Sequence, residues 1–242
     1  MVVSVLSRPR MLDLFCGAGG SAVGYYRAGF DVVGVDIAPQ PRYPFEFHQA
    51  DALTFPPDGY DAVHASPPCQ AHTTMSNRWR GQGGTADGHP ELIGPTRARL
   101  EGSGVPWVME NVVGARAKME SALLLHGAMF GLQVHRPRLF ESNVLLMCPQ
   151  WVGGVPRGGV AVYGKCDGRR LWTHTDGTTL RAASSLTEAR AAMGIDWMEW
   201  DELKEAIPPA YTSWLGAQLL GVVSVLSPHD AETLSAKEGP PS

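Results

Sequence analysis

The stretch MLDLFCGAGGSAVGYYRAGFDVVGVD, residues 11–36, decides the fold. Residues 11–15 have the pattern of a buried strand, and a glycine-rich turn follows at 16–20. Small and apolar residues at helical spacing predict a helix that begins at Ser21 and ends at Gly29. A second strand pattern closes with Asp36, so the stretch is a β-α-β unit with glycines at its nucleotide-binding bend. Strands and helices keep alternating beyond it, which predicts an α/β fold with a mostly parallel, doubly wound sheet.

Length and composition suit one sizeable domain. The chain has 242 residues and is 44% hydrophobic, as is ordinary for globular proteins. No apolar run approaches the length of a membrane span, and the N-terminus lacks the layout of a signal peptide. We therefore expect a cytoplasmic monomer with no membrane segment, no metal and free thiols. The paired short spacing of zinc or redox motifs is absent from the four cysteines, Cys16, Cys69, Cys148 and Cys166.

The net charge of −4 conceals an asymmetry along the chain. Residues 78–190 hold 14 Lys and Arg against 9 Asp and Glu, a surplus of five positive charges, whereas the rest holds 6 against 15. This distribution permits a polyanion to contact the middle of the chain. Surface charge also segregates in proteins without such a partner, so the pattern alone is only suggestive.

Four regions follow from the order of patterns. Residues 1–146 form the core, 147–185 a short Gly- and Arg-rich insertion, 186–227 helices that return to the core, and 228–242 a polar, disordered tail. Inside these regions the patterns predict strands at 60–65, 105–109 and 139–146, helices at 91–100, 118–130, 186–193 and 210–226, and a long polar loop at 71–90.

A second informative stretch is SPPCQ, residues 66–70, which we call the elbow. Its two prolines fix φ and lack backbone donors, so no helix can continue there. The elbow is expected to hold Cys69 at the carboxyl edge of the sheet, where open α/β folds bind ligands. Alone, it fits a Pro-Pro turn with an inert thiol equally well. However, the strand at 105–109 ends at the same edge with Glu110 and Asn111, so three features converge.

These residues resemble a known family. DLFCGAGG at 13–20, PPCQ at 67–70 and ENV at 110–112 are similar, in the same order, to three signature motifs of the cytosine-C5 methyltransferases. The resemblance covers residues 11–140 and resumes weakly near the C-terminus. It implies a Rossmann-like, S-adenosylmethionine-dependent fold, with residues 147–185 as a short target-recognition insertion and double-stranded DNA as the partner.

The chemistry expected of such an enzyme suits these residue types. Cytosine C5 is a poor nucleophile until a group adds to C6, and a thiolate does this well. The addition puts negative charge into the ring, which a carboxylic acid of raised pKa near N3 offsets. The resemblance implies that Cys69 is the nucleophile and Glu110 the acid, while Asn111 orders the loop that holds Cys69. The target base must leave the helical stack or come from a single strand.

Two arginines follow at HRPR, residues 135–138. Alternate residues of an extended segment share a face, so both guanidinium groups can point at one site. The family's counterpart is Gln-x-Arg-x-Arg, whereas here Val134 stands at the glutamine position. We expect Arg138 to contact cytosine O2 and Arg136 to support the backbone.

The predicted cofactor is S-adenosylmethionine. Phe15 would cover the adenine, Asp36 would accept the ribose hydroxyls, and Asp51 would meet the adenine amino group. The spacing departs from G-x-G-x-x-G, which disfavours a dinucleotide. The cofactor-binding residues predicted in full are Asp13, Phe15, Cys16, Gly17, Gly19, Gly20, Asp36, Ile37, Asp51, Ala52 and Pro67.

Nucleic-acid contacts are expected from the polar loop and the insertion. Trp79 either fills the vacated base stack or anchors its own loop. So small an insertion predicts a short recognition sequence or low selectivity. The predicted DNA-binding residues are Gln70, Arg78, Trp79, Arg80, Arg157, Lys165, Arg169 and Arg170.

The sequence thus predicts a compact, phage- or bacterial-type DNA cytosine-C5 methyltransferase of the kind found in restriction–modification, working at the nucleoid. Two alternatives stay open: an RNA (tRNA) cytosine-C5 methyltransferase, and a non-catalytic DNA-binding relative. The second draws support from residues 204–209, where KEAIPP replaces the family's Gly-Asn-x-Val-Pro. Glu205 stands at the asparagine position, which leaves open how the methionine end of the donor is bound, and whether the donor is plain S-adenosylmethionine.

Overall fold

The predicted β-α-β unit is present in the computed structural model, which describes residues 7–68, 91–150, 159–173 and 179–226. It consists of β1 (Arg10–Leu14), α1 (Gly20–Ala28) and β2 (Asp31–Asp36). The two strands are parallel neighbours, with Leu12 beside Val33. Gly29 ends the helix at a φ of 120°, where its N–H donates to the carbonyls of Tyr25 and Tyr26.

Among the described residues the main sheet has seven strands, in the order β3-β2-β1-β4-β5-β7-β6. Parallel pairing runs from β3 to β5, and only β7 pairs antiparallel, with β5 and β6. The prediction of a mostly parallel sheet is therefore confirmed. The further strands of this sheet are β3 (Glu46–Gln49), β4 (Ala62–Ala65), β5 (Trp107–Val112), β6 (Leu123–Leu125) and β7 (Arg138–Ser142).

Helices cover both faces of the sheet. On one face α1 packs against α5 (Pro209–Leu226), with Tyr25, Tyr211 and Leu215 in the shared core. Gly24 permits this close approach, because a Cβ there would lie 1.9 Å from Thr212 Oγ1. On the other face lies α2 (Ile93–Glu101), whose buried residues pack against the β-strands.

Alternation along the strands decides which residues share the α1 face. Met11, Ala62 and Val108 belong to the core on that face, whereas Leu12, Val63 and Met109 belong to the opposite core. Successive strand residues point to opposite faces. Asp13, His64 and Glu110, two residues further along β1, β4 and β5, therefore lie on the α1 face near the carboxyl edge of the sheet.

The predicted helix at 118–130 is wrong. The chain forms a 3₁₀ segment (Val113–Lys118), then strand β6, then a second 3₁₀ segment (Gly127–Phe130). The three leucines of β6 pair with β7, which the local pattern could not show, because tertiary pairing overrides helix propensity. Strand β3 and the short helix α4 (Trp200–Glu205) were not predicted either, and β7 is shorter than the predicted strand at 139–146.

A small second sheet (β8–β10) lies inside the predicted insertion. Its strands β8 (Val160–Ala161), β9 (Arg170–Thr173) and β10 (Thr179–Ala182) lie in the order β8-β10-β9. It is tied to the core where His135 N donates to Val160 O at 2.9 Å. Helix α3 (Leu186–Met193) follows it, as predicted. The expected disordered tail lies outside the described residues, and no helix within them is long and apolar enough to cross a membrane.

Candidate active site

A cavity of about 500 Å³ opens at the carboxyl edge of β1, β4 and β5. Its wall combines the turn after β1, the end of β2, the elbow after β4, the end of β5 and helix α4. Of the predicted cofactor-binding residues, seven line this cavity: Phe15, Cys16, Gly17, Gly20, Asp36, Ile37 and Pro67.

The turn after β1 is held in a left-handed conformation. Gly17 has a φ of 48°, and Phe15 has a φ of 56°, which is strained for a residue with a Cβ. Asp36 fixes the turn, because its Oδ2 accepts a hydrogen bond of 3.0 Å from Gly17 N. Its Oδ1 accepts one of 2.9 Å from Ala38 N. Each oxygen of Asp36 thus keeps a lone pair for a ligand hydroxyl.

Four other predicted cofactor-binding residues do not line the cavity. Asp13 is fully buried, with its Oδ2 accepting from Ser21 Oγ at 2.8 Å. Burial raises the pKa of Asp13 to about 7. Gly19 packs against Tyr43 and Pro44, Ala52 lies in the core, and Asp51 is exposed, with its Oδ1 accepting from Leu53 N.

The elbow enters the cavity through its first three residues, Ser66, Pro67 and Pro68. Asn111 Nδ2 donates to the carbonyl of Pro67 at 3.1 Å, so this side chain contacts the backbone of the elbow. Cys69 itself lies outside the described residues, as do the predicted DNA contacts Gln70, Arg78, Trp79, Arg80 and Arg157.

Glu110 presents a buried carboxyl group to the same cavity; its exposed fraction is 6%. Arg138 Nε lies 2.9 Å from its Oε1, and Ser66 lines the same cavity. Burial raises the pKa of Glu110, while Arg138, Arg136 and Ser66 oppose the rise and the charge of Glu205 adds to it. The net rise increases the protonated fraction near neutral pH, as an acid catalyst requires.

Arg136 is a structural clamp away from the cavity wall. Its guanidinium donates to the carbonyls of Ala206 at 2.9 Å and Val162 at 3.0 Å, and also to that of Lys204. Burial, with the nearby charge of Arg138, lowers its pKa to about 9. Arg136 therefore links the segment before β7 to the end of β8 and to α4.

Sequence reasoning missed the acidic wall, formed by Asp201, Glu202 and Glu205 on α4. The cluster DELKE at 201–205 was the available signal, and only Glu205 was singled out. Glu202 is held by Arg42, whose Nη1 lies 2.9 Å from Oε1. Asp201 Oδ1 in turn lies 2.8 Å from Lys204 Nζ. The cavity wall thus carries several carboxylates, two of them paired with cations, and it has Arg138 as a cation beside Glu110.

The other predicted DNA contacts lie on and beside the small sheet. Lys165, Arg169 and Arg170 are exposed and do not line the cavity. Arg169 Nε lies 3.4 Å from Asp167 Oδ2. Within the described residues no cluster of His, Cys, Asp and Glu could hold a metal ion.

Comparison with known proteins identifies the fold. No family model and no curated protein sequence matches the chain. Solved structures do match it, among them an E. coli prophage-encoded protein described as a DNA modification methyltransferase, with a TM-score of 0.54 and 14% identity over 90% of this chain and 99% of that one. The chain has the methyltransferase fold.

Two further structures with this fold come from eukaryotes. A DNMT2 variant from Spodoptera frugiperda has a TM-score of 0.55 and 15% identity over 88% of this chain and 99% of that one. The methyltransferase EhMeth from Entamoeba histolytica has a TM-score of 0.55 and 10% identity over 90% and 99%. The Rossmann-like methyltransferase fold predicted from the sequence is therefore confirmed.

Proposed function

We propose that the chain is an S-adenosylmethionine-dependent DNA methyltransferase that acts on C5 of cytosine through a covalent bond between Cys69 and C6. One observation carries the proposal: Glu110 and Arg138, 2.9 Å apart, share a cavity with the glycine turn and with Pro68, the residue before Cys69. A pyrimidine at this edge meets a proton donor and a cation together.

The cavity fits a cationic donor. S-adenosylmethionine carries a sulfonium and an ammonium group, and the wall offers the carboxylates of Asp36, Asp201, Glu202 and Glu205. When bound, it supplies an electrophilic methyl group. Phe15 lies on the wall, and we expect its ring to cover the adenine while the free lone pairs of Asp36 accept from the ribose hydroxyls.

Three side chains then act on different atoms of the cytosine. The Cys69 thiolate forms a bond to C6, and the ring electrons move toward N3 and O2, where Glu110 and Arg138 donate. C5 becomes nucleophilic and would take the methyl group, with cleavage of the donor's S–CH3 bond and release of the neutral thioether S-adenosylhomocysteine. Loss of the C5 proton to water and cleavage of the C6–S bond then restore the aromatic ring and the thiolate.

DNA is proposed as the substrate because one structure of the same fold is described as a DNA modification enzyme and the middle of this chain carries surplus positive charge. A compact enzyme encoded by a phage or mobile element would methylate cytosines in the DNA of that element. With so short an insertion, we expect a short or degenerate methylated site in bisulfite sequencing of an exposed plasmid.

The decisive experiment supplies methyl-labelled S-adenosylmethionine with DNA and with tRNA and identifies the product by nucleoside mass spectrometry. We expect 5-methylcytosine from DNA; label in tRNA instead would select the RNA alternative. Cys69→Ala should abolish transfer while calorimetry still shows cofactor binding, and the exposed Cys148→Ala variant should retain transfer. Near-normal turnover by Cys69→Ala would exclude the covalent route, and absence of cofactor binding by the unaltered protein would favour a non-catalytic relative.

A further inference from the structure

A buried chain of hydrogen bonds runs from helix α1 to Ser66, which lines the cavity together with Glu110. Tyr25 Oη lies 3.0 Å from His64 Nδ1, and His64 Nε2 lies 2.9 Å from Ser66 Oγ. Ser66 and Glu110 both line the cavity, and the Ser66 hydroxyl lowers the pKa of the Glu110 carboxyl group. Tyr25 and His64 are both fully buried, and their rings are 5.2 Å apart. We call Tyr25, His64 and Ser66 the relay.

The direction of donation along the relay follows from Tyr25. Burial raises the pKa of this phenol well above its usual value, so its oxygen keeps a proton that needs an acceptor. Among the described residues the acceptor that it contacts is His64 Nδ1. His64 is neutral, because burial lowers its pKa to about 3, and its single ring proton therefore lies on Nε2.

The tautomer of His64 determines how the hydroxyl of Ser66 is used. Its oxygen accepts the Nε2–H of His64, so its own proton is free to be donated to Glu110. Arg138 and Arg136, the charged neighbours of opposite sign, can only donate. Glu205 acts on Glu110 through its charge. Within the described part of the chain, none of these neighbours is left to accept the proton of a neutral Glu110.

We propose that the relay positions the acid of the reaction: Tyr25, through His64, makes Ser66 a donor, so that the proton of Glu110 can be given only to the substrate in the cavity. This inference rests on the proposed function. His64 acts as an orienting group and not as a proton carrier, since it stays neutral across the working pH range. None of the three residues is among those for which the sequence predicted a role.

The kinetic test compares two substitutions of His64. In His64→Gln the side-chain amide can still donate to Ser66, whereas His64→Leu removes the donor. We expect His64→Leu to lower kcat about 10-fold or more with an unchanged KM for the cofactor, and His64→Gln to recover most of that loss.

The pH profile separates positioning from mere folding. A hydrogen bond donated by Ser66 stabilises the carboxylate, so its loss raises the pKa of Glu110 further. In His64→Leu the limb on which kcat falls with rising pH should move upward by about one pH unit. Thermal unfolding confirms that each variant is folded. A profile of folded His64→Leu that superimposes on that of the unaltered enzyme, or no recovery by folded His64→Gln, would overturn the proposal.

A measurement without turnover tests the relay separately from the proposed function. In ¹⁵N NMR of the histidine rings, with His64 assigned by its loss in His64→Gln, we expect a neutral ring with the proton on Nε2 between pH 6 and 8. Tyr25→Phe should shift His64 toward a mixture of tautomers. A proton on Nδ1, or titration of His64 near pH 6.5, would contradict the relay even if the enzyme methylates cytosine. Lack of methyl transfer with the Nε2 tautomer present would instead count against the proposed function.

Discussion

The cavity edge of the main sheet and the small sheet β8–β10 use the same kinds of side chain in opposite ways. Behind the cavity edge Arg136 is buried, and its guanidinium donates to three backbone carbonyls. On the small sheet Arg170 is exposed, and the exposed Arg169, just before it, lies 3.4 Å from the Asp167 carboxylate. The charges near the cavity are shielded from water, whereas water screens the charges on the small sheet.

This difference explains why the two regions suit different tasks. A desolvated carboxyl such as Glu110 responds strongly to each neighbour, so that burial, Ser66 and two arginines together decide its protonation. Exposed ion pairs contribute little to stability and are weakened by salt. The cavity edge is therefore built for chemistry, whereas the small sheet is suited to long-range attraction of a polyanion. Three experiments, beyond those on Cys69 and on the relay, test this contrast.

The largest effect is expected at Glu110. Glu110→Gln keeps the shape but cannot supply a proton, so kcat should fall about 10²–10⁴-fold while cofactor affinity is retained. In the unaltered enzyme the raised pKa of this carboxyl means that kcat falls as pH rises through it, because the neutral acid is lost. The variant should lose that limb of the pH–rate profile. Retention of the same limb would assign it to another group.

Arg136 should matter for stability rather than for chemistry. Arg136→Met leaves the carbonyls of Val162, Lys204 and Ala206 without a buried donor, and we expect the free energy of unfolding to fall by about 3–5 kcal/mol. The matched control is Arg170→Met, an exposed arginine, whose effect should stay within about 0.5 kcal/mol. Urea unfolding of the two variants measures both values, and equal stabilities would remove the contrast between the two regions.

The smallest effect is expected on the small sheet. Lys165→Ser and Arg170→Ser should each weaken DNA binding only a few-fold and reduce the dependence of affinity on salt by about one ion, leaving kcat unchanged. Arg27→Ser, which removes an exposed charge from α1, is the control. Titration of DNA at several salt concentrations makes the comparison. If the α1 variant weakens binding as much as the other two, the small sheet has no special place in DNA contact.

Much of the fold could be predicted because local patterns and packing agreed. The β-α-β unit, the strand before the elbow and helix α3 came out at or close to their predicted bounds, since their apolar periods match the faces that they bury. The prediction for residues 118–130 was wrong because their leucines fit a helix as well as a strand. Pairing with β7 selects the strand. The acidic wall was not predicted for a similar reason. Residues 201–205 reach the cavity only because the C-terminal helices pack against the core, and the local sequence does not show this packing.

By itself the sequence identified the groups that we propose to react: a cysteine after two prolines and a glutamate at a strand end, together with a glycine turn ahead of a carboxylate. Only the tertiary structure decided their electrostatic state. Burial at the sheet edge, the approach of Arg138 to Glu110 and the link from Tyr25 to Ser66 join residues far apart in the chain. Desolvation and hydrogen-bond direction depend on all the neighbours of a group at once, and for that reason motifs name the acid but do not say how it keeps its proton.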